Sequence, residues 1–288
     1  MTRIAILGLG MMGNPMASLL HAAGHDLVVK DANEDVQNQF VVTHPGAVAA
    51  TGGTSYADRD VIITMLPNSD VVDTVINEIA NYLKRGSCII EMSSAEPLRT
   101  QVLSKFLLEK GVSLIDAPVS GGVKKAVNGT LSIMVGGDKA DYERQKPILN
   151  VFGKAIIHVG SVGAGHALKA LNNYVSAAAL IATAEAIHVG AAFGIDASII
   201  VDVINASTGK NNTTENKAHQ FMLNGAFNSG FSLALQAKDV GIAAALGSSM
   251  NMPMELGQKV YAMTAQASTN LGPKADHTEL FKSVGPHS

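Results

Sequence analysis

Ile4-Ala5-Ile6-Leu7-Gly8-Leu9-Gly10-Met11-Met12-Gly13-Asn14-Pro15 is the stretch on which the fold turns. Four consecutive aliphatic residues ended by a glycine read as a strand buried on both faces. Gly8, Gly10 and Gly13 then set a G-x-G-x-x-G spacing, and residues 14–23 have helical spacing with Pro15 in the first turn, where a missing N–H does no harm. In that context Gly8 permits the tight turn, Gly10 lets the backbone approach a pyrophosphate, and Gly13 lets helix and strand pack closely. The free N–H groups and positive end of the helix receive the phosphates, with Met11 and Met12 inside the loop. A βα turn with incidental glycines is the competing reading; the strand before and the helix after favour the dinucleotide.

The same alternation continues outward. Asp26–Lys30, 61–66, 87–92 and Ser113–Asp116 read as further strands, with helical stretches at 69–83 and 97–110 between them. Strands at 131–135 and 155–159 follow, with a helix at 140–151 between the two. Strand–helix alternation of this kind implies parallel βαβ units with right-handed crossovers, an α/β class built on a Rossmann-type, mostly parallel sheet. After Gly160 the composition changes. A helical pattern runs unbroken over 166–193, and 197–205, 215–223, 233–249, 254–267 and 278–282 also read helical. The sequence therefore predicts a dinucleotide-binding domain over 1–162 and an all-α domain over 163–288 for substrate and oligomerisation, joined by the long helix.

Composition narrows the function. Lys and Arg total 21 against 24 Asp and Glu among 288 residues, a net charge of −3 that offers no basic stripe for nucleic acid. With 47% hydrophobic residues the chain can bury a sizeable core. One cysteine, Cys88, excludes a disulfide scaffold, and the nine histidines lack ligand-type spacing, so no metal is expected. The N-terminal apolar run is too short for a secretory signal. The uncharged apolar stretch 170–184 is shorter than the ~20 residues of a membrane span. A reduced, cytoplasmic protein without a membrane segment is the expectation.

Other strand ends supply candidate contacts. Asp31, at the end of the second strand, can accept both hydroxyls of an adenosine ribose and repel a 2′-phosphate. This favours NAD, although the neighbouring Lys30 and Asn33 keep NADP open, and a plain strand-end turn is the alternative. Leu66-Pro67 and Ser93-Ser94 follow the next strands, where an open parallel sheet presents its ligand-facing edge. Ordinary turn chemistry competes at both.

Three more stretches complete the pattern: Asp116-Ala117-Pro118-Val119-Ser120-Gly121-Gly122, Gly163-Ala164-Gly165 with Lys169-Ala170-Leu171-Asn172-Asn173, and Lys238-Asp239. Together with the glycine loop they resemble the β-hydroxyacid dehydrogenase family, of the 3-hydroxyisobutyrate dehydrogenase and semialdehyde reductase type, over essentially the whole chain. On physical grounds Lys169 and Asn173, four apart on a helix, project from one face. An ammonium there can stabilise a developing alkoxide and deliver its proton; in the oxidative direction a neutral amine acts as base. A solvated helix face is the alternative. The resemblance implies that Lys169 is the catalytic acid/base and that Asn173 holds the substrate. It likewise implies that Ser120, Gly121 and Gly122 form an anion nest for a substrate carboxylate, where a tight turn is the plainer reading. Lys238 would reach the cofactor and Ser94 the nicotinamide half, with Asp239 free to make a local salt bridge.

The chain departs from the family at Ser94, where many members have Thr, and at Val71, where some have Asn. The loop 207–217 varies with substrate in relatives; Lys210 or Asn212 can reach a substrate anion, and a solvated loop is the equal alternative. His166 reads as structural. The apolar helical half suggests burial against a second subunit, so a homodimer or homotetramer is expected. Two rivals remain: an imine reductase on the same scaffold, whose members generally lack the lysine, and a catalytically silent, cofactor-binding interaction protein.

Overall fold

The computed structural model describes residues 1–285; Pro286, His287 (one of the nine histidines) and Ser288 lie outside the described residues. In the first part of the chain the elements are β1 (Arg3–Leu7), α1 (Gly13–Ala22), β2 (Asp26–Lys30), α2 (Glu34–Thr43), β3 (Val48–Ala49), β4 (Val61–Thr64), α3 (Ser69–Ile79), β5 (Cys88–Glu91) and α4 (Pro97–Glu109). They continue with β6 (Ser113–Asp116), β7 (Val119–Ser120), α5 (Gly122–Val127), β8 (Leu131–Gly136), α6 (Lys139–Phe152) and β9 (Gly153–Gly160). All nine strands form one sheet in the order β3-β2-β1-β4-β5-β6-β8-β7, with β9 pairing β8.

Aliphatic runs make this sheet doubly covered. Successive strand residues point to opposite faces, and here both faces are apolar. Ile4, Ile6, Leu27, Val29, Val61, Ile63, Cys88 and Ile90 pack into one core with Met16, Leu20, Phe40 and Phe152. Ala5, Leu7, Val28, Ile62 and Ile89 pack into the other with Val72, Ile76, Leu103 and Leu107. The pairings β2–β1–β4–β5–β6 are parallel, as the sequence implied. Beyond β6 the sheet is mixed: β8 runs antiparallel to both β6 and β7, and parallel to β9.

The elements that the sequence pattern did not reveal have few buried side chains. In α2 only Gln37 and Phe40 are buried, so the helical period is almost silent, although Asn33 caps the helix by accepting the Asp35 N–H. Val119–Ser120 and Gly122–Val127 are short and interrupted by Gly121 and Gly122, both with positive φ.

Helix α7 (Ala164–Ala192) is followed by α8 (Ala197–Asn205), α9 (Asn212–Asn216), α10 (Leu233–Ser249), α11 (Glu255–Leu271) and α12 (Leu280–Val284). The chain divides into two compact units, one ending at Lys169 and the other beginning at Ala170. The last strand ends at Gly160, but the first turn of α7 packs against the first unit. A Cβ on Gly165 would lie 2.4 Å from the Met134 carbonyl oxygen and 2.8 Å from Asp116 Oδ2. Glycine is therefore required where α7 crosses the ends of β6 and β8. The second unit has its own cores, one around Leu180, Leu233, Val240 and Val260 and another around Ile187, Val201 and Met222.

One expectation is corrected here. Residues 215–223 do not form one helix. Asn211 caps α9 early with a reciprocal Thr214 contact, the backbone leaves helical geometry at Lys217 (φ −131°, ψ −40°), and Ala218–Met222 follow as a π-helical turn. Helix α7, at 29 residues, spans the expected 166–193 helix closely and is long and apolar enough to cross a membrane by length and composition only, a test that core helices of soluble proteins also pass.

Candidate active site

In the first unit the glycine loop joins β1 to α1 and its three glycines differ physically. Gly8 has φ +100°, and a Cβ there would sit 2.2 Å from the Met65 carbonyl oxygen. At Gly13 a Cβ would sit 1.9 Å from the Gly8 carbonyl oxygen, so the loop must close on itself without a side chain. At Gly10 a Cβ would meet nothing within 4 Å. Two glycines are thus demanded by the fold, and the third faces open space beside an α1 N-terminus whose Met12 makes no side-chain cap. Such an opening fits a phosphate group drawn to uncapped N–H groups. Met11 is exposed and Met12 half-buried at this mouth.

Asp31 is built into the same loop. Its Oδ2 accepts the Leu9 N–H at 2.7 Å and its Oδ1 accepts the Asn33 N–H at 2.9 Å. The carboxylate is half-buried, and its remaining lone pairs are what a ribose diol requires. On the next strands, Ser93 is a strut: it is buried and its Oγ accepts the Leu66 N–H at 2.8 Å, fixing the Leu66-Pro67 turn. Ser94 is the half-exposed member of the pair. Ser120 ends β7 opposite Ser132, with Gly121 and Gly122 exposed beyond it.

Sequence reasoning missed the charged cluster beneath these loops. Glu91 ends β5, Asp116 ends β6, and both are fully buried with His166 of α7. His166 Nε2 lies 2.7 Å from Glu91 Oε2, in ion-pair contact though off the line of a straight hydrogen bond. Glu91 Oε1 accepts the Ser93 N–H at 2.8 Å and the Thr64 hydroxyl at 3.2 Å. Asp116 accepts the Gly163 and His166 N–H groups at 2.7 and 2.8 Å, so it caps the start of α7. His166 Nδ1 is 2.9 Å from Thr100 Oγ1.

Burial by itself raises a carboxyl and lowers an imidazole. At Glu91 the charge of His166 and the hydrogen bonds from His166 and Ser93 outweigh burial and hold it below its ordinary value. At His166 burial is outweighed by the charges of Glu91 and Asp116, and its pKa is raised. Burial wins at Asp116, whose pKa is raised. Glu91 and His166 are therefore the ionised pair. The available signal was an acidic residue at the ends of two neighbouring strands, each directly after two aliphatic residues.

Lys169 is half-buried on α7, one turn after His166. In the second unit Asn173, one turn further, is buried; its Nδ2 donates to Asp239 Oδ2 at 2.6 Å and its Oδ1 accepts from Asn172 at 3.1 Å. Asp239 is 3% exposed, so it is an interior partner of Asn173, and its contact with Lys238 is a long one at 3.8 Å. Lys210 is exposed and paired with Glu215 at 2.9 Å, the arrangement of a solvated loop.

The glycine loop, the acid at the end of β2 and the lysine-bearing helix fit a dinucleotide-dependent oxidoreductase. Residues 3–160 match the NAD binding domain of 6-phosphogluconate dehydrogenase, and residues 163–284 match the NAD-binding model of NADP-dependent 3-hydroxyisobutyrate dehydrogenase. The chain belongs to the β-hydroxyacid dehydrogenase family and uses NAD(P). It is 39% identical to the 2-(hydroxymethyl)glutarate dehydrogenase of Eubacterium barkeri, over 88% of this chain and 85% of the relative. It is 37% identical to the mitochondrial 3-hydroxyisobutyrate dehydrogenase of Drosophila melanogaster, over 90% and 82%. The structure of Mycobacterium tuberculosis 3-hydroxyisobutyrate dehydrogenase with L-serine superposes with a TM-score of 0.93 at 32% identity, covering 99% of each chain. An imine reductase from Myxococcus stipitatus shares the fold alone, at 19% identity and a TM-score of 0.67. Helix α7 lies within the second matched region, so its apolar length is that of a dehydrogenase helix.

Two measurements check this geometry. Gly10→Ala is expected to fold with an unchanged thermal midpoint, because its Cβ enters open space, and to weaken NADH binding at least about tenfold by fluorescence titration. Unchanged affinity would remove Gly10 from the phosphate site. For the buried pair, Glu91→Gln leaves His166 without its counter-charge and should cost about 3 kcal/mol of stability. Glu91 is lowered from 4.5, so its contribution is present above that pH and lost below it. His166 is raised from 6.5, so its contribution is present below that pH and lost as pH rises through its higher folded value. Denaturation of wild type and variant across pH should therefore show the largest gap between about 4.5 and 6.5. A gap independent of pH would contradict the ionised pair.

Proposed function

We propose that the enzyme interconverts a short 3-hydroxy acid and its semialdehyde, with NAD preferred over NADP and Lys169 as general acid/base. The observation that carries this reading is the placement of Lys169 and Asn173 one turn apart on α7, with Asn173 fixed from behind by the buried Asp239. Bound nicotinamide supplies the hydride in reduction and accepts it in oxidation. Lys169 Nζ gives its proton to the carbonyl oxygen as that oxygen becomes a hydroxyl, and as the neutral amine it takes the proton back in the reverse direction. The Ser120 hydroxyl and the N–H groups of Gly121 and Gly122 hold the substrate carboxylate, and Asn173 orients the substrate beside Lys169. Gly8, Gly10, Met11, Met12, Gly13, Asp31, Leu66, Pro67, Ser94 and Lys238 bind the cofactor. The Asp31 carboxylate disfavours a 2′-phosphate and so favours NAD.

We further propose a soluble, cytoplasmic homodimer or homotetramer. Leu168, Leu171, Val175 and Val189 follow one another along α7 with Phe193 just past its end, and all are exposed, Val175 at 62% and Phe193 at 85%. Contiguous apolar surface of this kind marks an association face.

Absorbance at 340 nm with NADH, then NADPH, against tartronate, succinic, methylmalonate and malonate semialdehydes and glyoxylate tests the reaction class. Lys169→Ala should lose at least about 1,000-fold in turnover while retaining cofactor binding; undiminished turnover would remove Lys169 from the mechanism. Light scattering at micromolar concentration should give a multiple of the 29.9 kDa chain mass, and a monomer would refute the association face.

A further inference from the structure

The side chain of Lys217 enters neither the family pattern nor the mechanism above. It sits at the joint between α9 and the π-helical turn, where its carbonyl accepts both the Phe221 and Met222 N–H groups, at 2.9 and 3.3 Å. Irregular turns of this type concentrate at functional positions. The fixed backbone directs the side chain onto α7, where Nζ lies 3.2 Å from Ser176 Oγ. Ser176 is three residues beyond Asn173, a rise of about 4.5 Å along the helix, and seven beyond Lys169. Residues at that spacing share a helix face.

Among the described residues Lys217 forms no ion pair, whereas Lys210 in the same loop is paired with Glu215. Burial is strong enough to lower its ammonium to about 8, against the attraction of Asp276. That carboxylate cannot serve as a close partner. It already accepts the Gly230 N–H, the Thr278 N–H and hydroxyl, and the Ser229 hydroxyl. A half-buried cation with one neutral partner is costly unless an anion completes it.

We infer that Lys217, assisted by Ser176, binds a second carboxylate of the substrate, so that the enzyme acts on a 3-hydroxy acid carrying two carboxylates in preference to a monocarboxylic one. This rests on the reading of Lys169 and Asn173 as substrate-facing. The reacting carbon is held beside Lys169 and Asn173 as proposed above, and the second carboxylate lies further along α7, at Ser176.

The test compares NAD-dependent oxidation of 3-hydroxyisobutyrate, with one carboxylate, and 2-(hydroxymethyl)glutarate, with two, by wild type, Lys217→Met and Lys217→Arg. Wild type should favour the dicarboxylate at least about tenfold in kcat/KM. Lys217→Met should lower that selectivity about 30-fold through KM for the dicarboxylate, and Lys217→Arg should restore most of it. A second readout is thermal: glutarate should raise the melting temperature of NAD-loaded wild type and not that of Lys217→Met. Removing the buried charge should leave the melting temperature of unliganded Lys217→Met equal to or above wild type, which separates lost binding from lost folding. Oxidation of both acids without preference, or selectivity untouched by Lys217→Met, overturns the inference and leaves the dehydrogenase reading standing. Silence with both acids and with the semialdehyde panel removes both.

Discussion

The ion pair between Glu91 and His166 is the constraint on which the first unit's functional edge depends. It places two opposite charges in the interior, where Glu91 is flanked in the sheet by Thr64 and Asp116 and all are buried. The remaining oxygens and nitrogens hold the segments around it, His166 Nδ1 meeting Thr100 Oγ1 of α4. Glu91 Oε1 gathers the Ser93 N–H and the Thr64 hydroxyl, Ser93 Oγ takes the Leu66 N–H, and Asp116 closes the first turn of α7. Hydrogen bonds joined by the Glu91–His166 ion pair thus run from the turn after β4 to the helix that carries Lys169. A buried polar network of this sort tolerates no half-filled state, so it fixes these segments more tightly than apolar packing alone.

Close backbone approach is the complementary constraint. Gly8 and Gly13 leave no room for a methyl group where α1 leaves the sheet, and Gly165 leaves none where α7 arrives. Gly10 stands apart because the space beside it is open. The fold consumes three glycines to bring helix ends against strand ends, and it leaves one free for a ligand. The Asp31 carboxylate, tied to the Leu9 N–H, holds that loop in shape from the neighbouring strand.

In the second unit the same logic recurs with different atoms. The Asn173 amide is held by the buried Asp239, whose place in a Lys-Asp pair had suggested only a surface bridge. Lys217 is fixed where the short helix α9 (Asn212–Asn216) ends and the chain restarts with a wider turn. Such irregularity is what allows a charged side chain to be turned inward, where a regular helix over 215–223 would have spread it along a solvated face.

Local sequence determined the alternation of strands and helices, the glycine loop, the uniformly helical second half and the Lys169/Asn173 spacing. Each of these rests on interactions within a few residues: hydrophobic period, turn chemistry, or two side chains one turn apart on a helix. The tertiary structure decided the rest. The antiparallel return of β8 depends on which strand finds the free edge, and α2 is held by only two buried residues, so neither leaves a periodic trace. Glu91, Asp116 and His166 are separated by 25 to 75 positions and meet only because two strand ends and a helix start converge. Lys210 and Lys217 looked alike as charges in a polar loop; burial and the absence of a carboxylate partner among the described residues set Lys217 apart, because desolvation is a property of the folded surroundings and not of the residue.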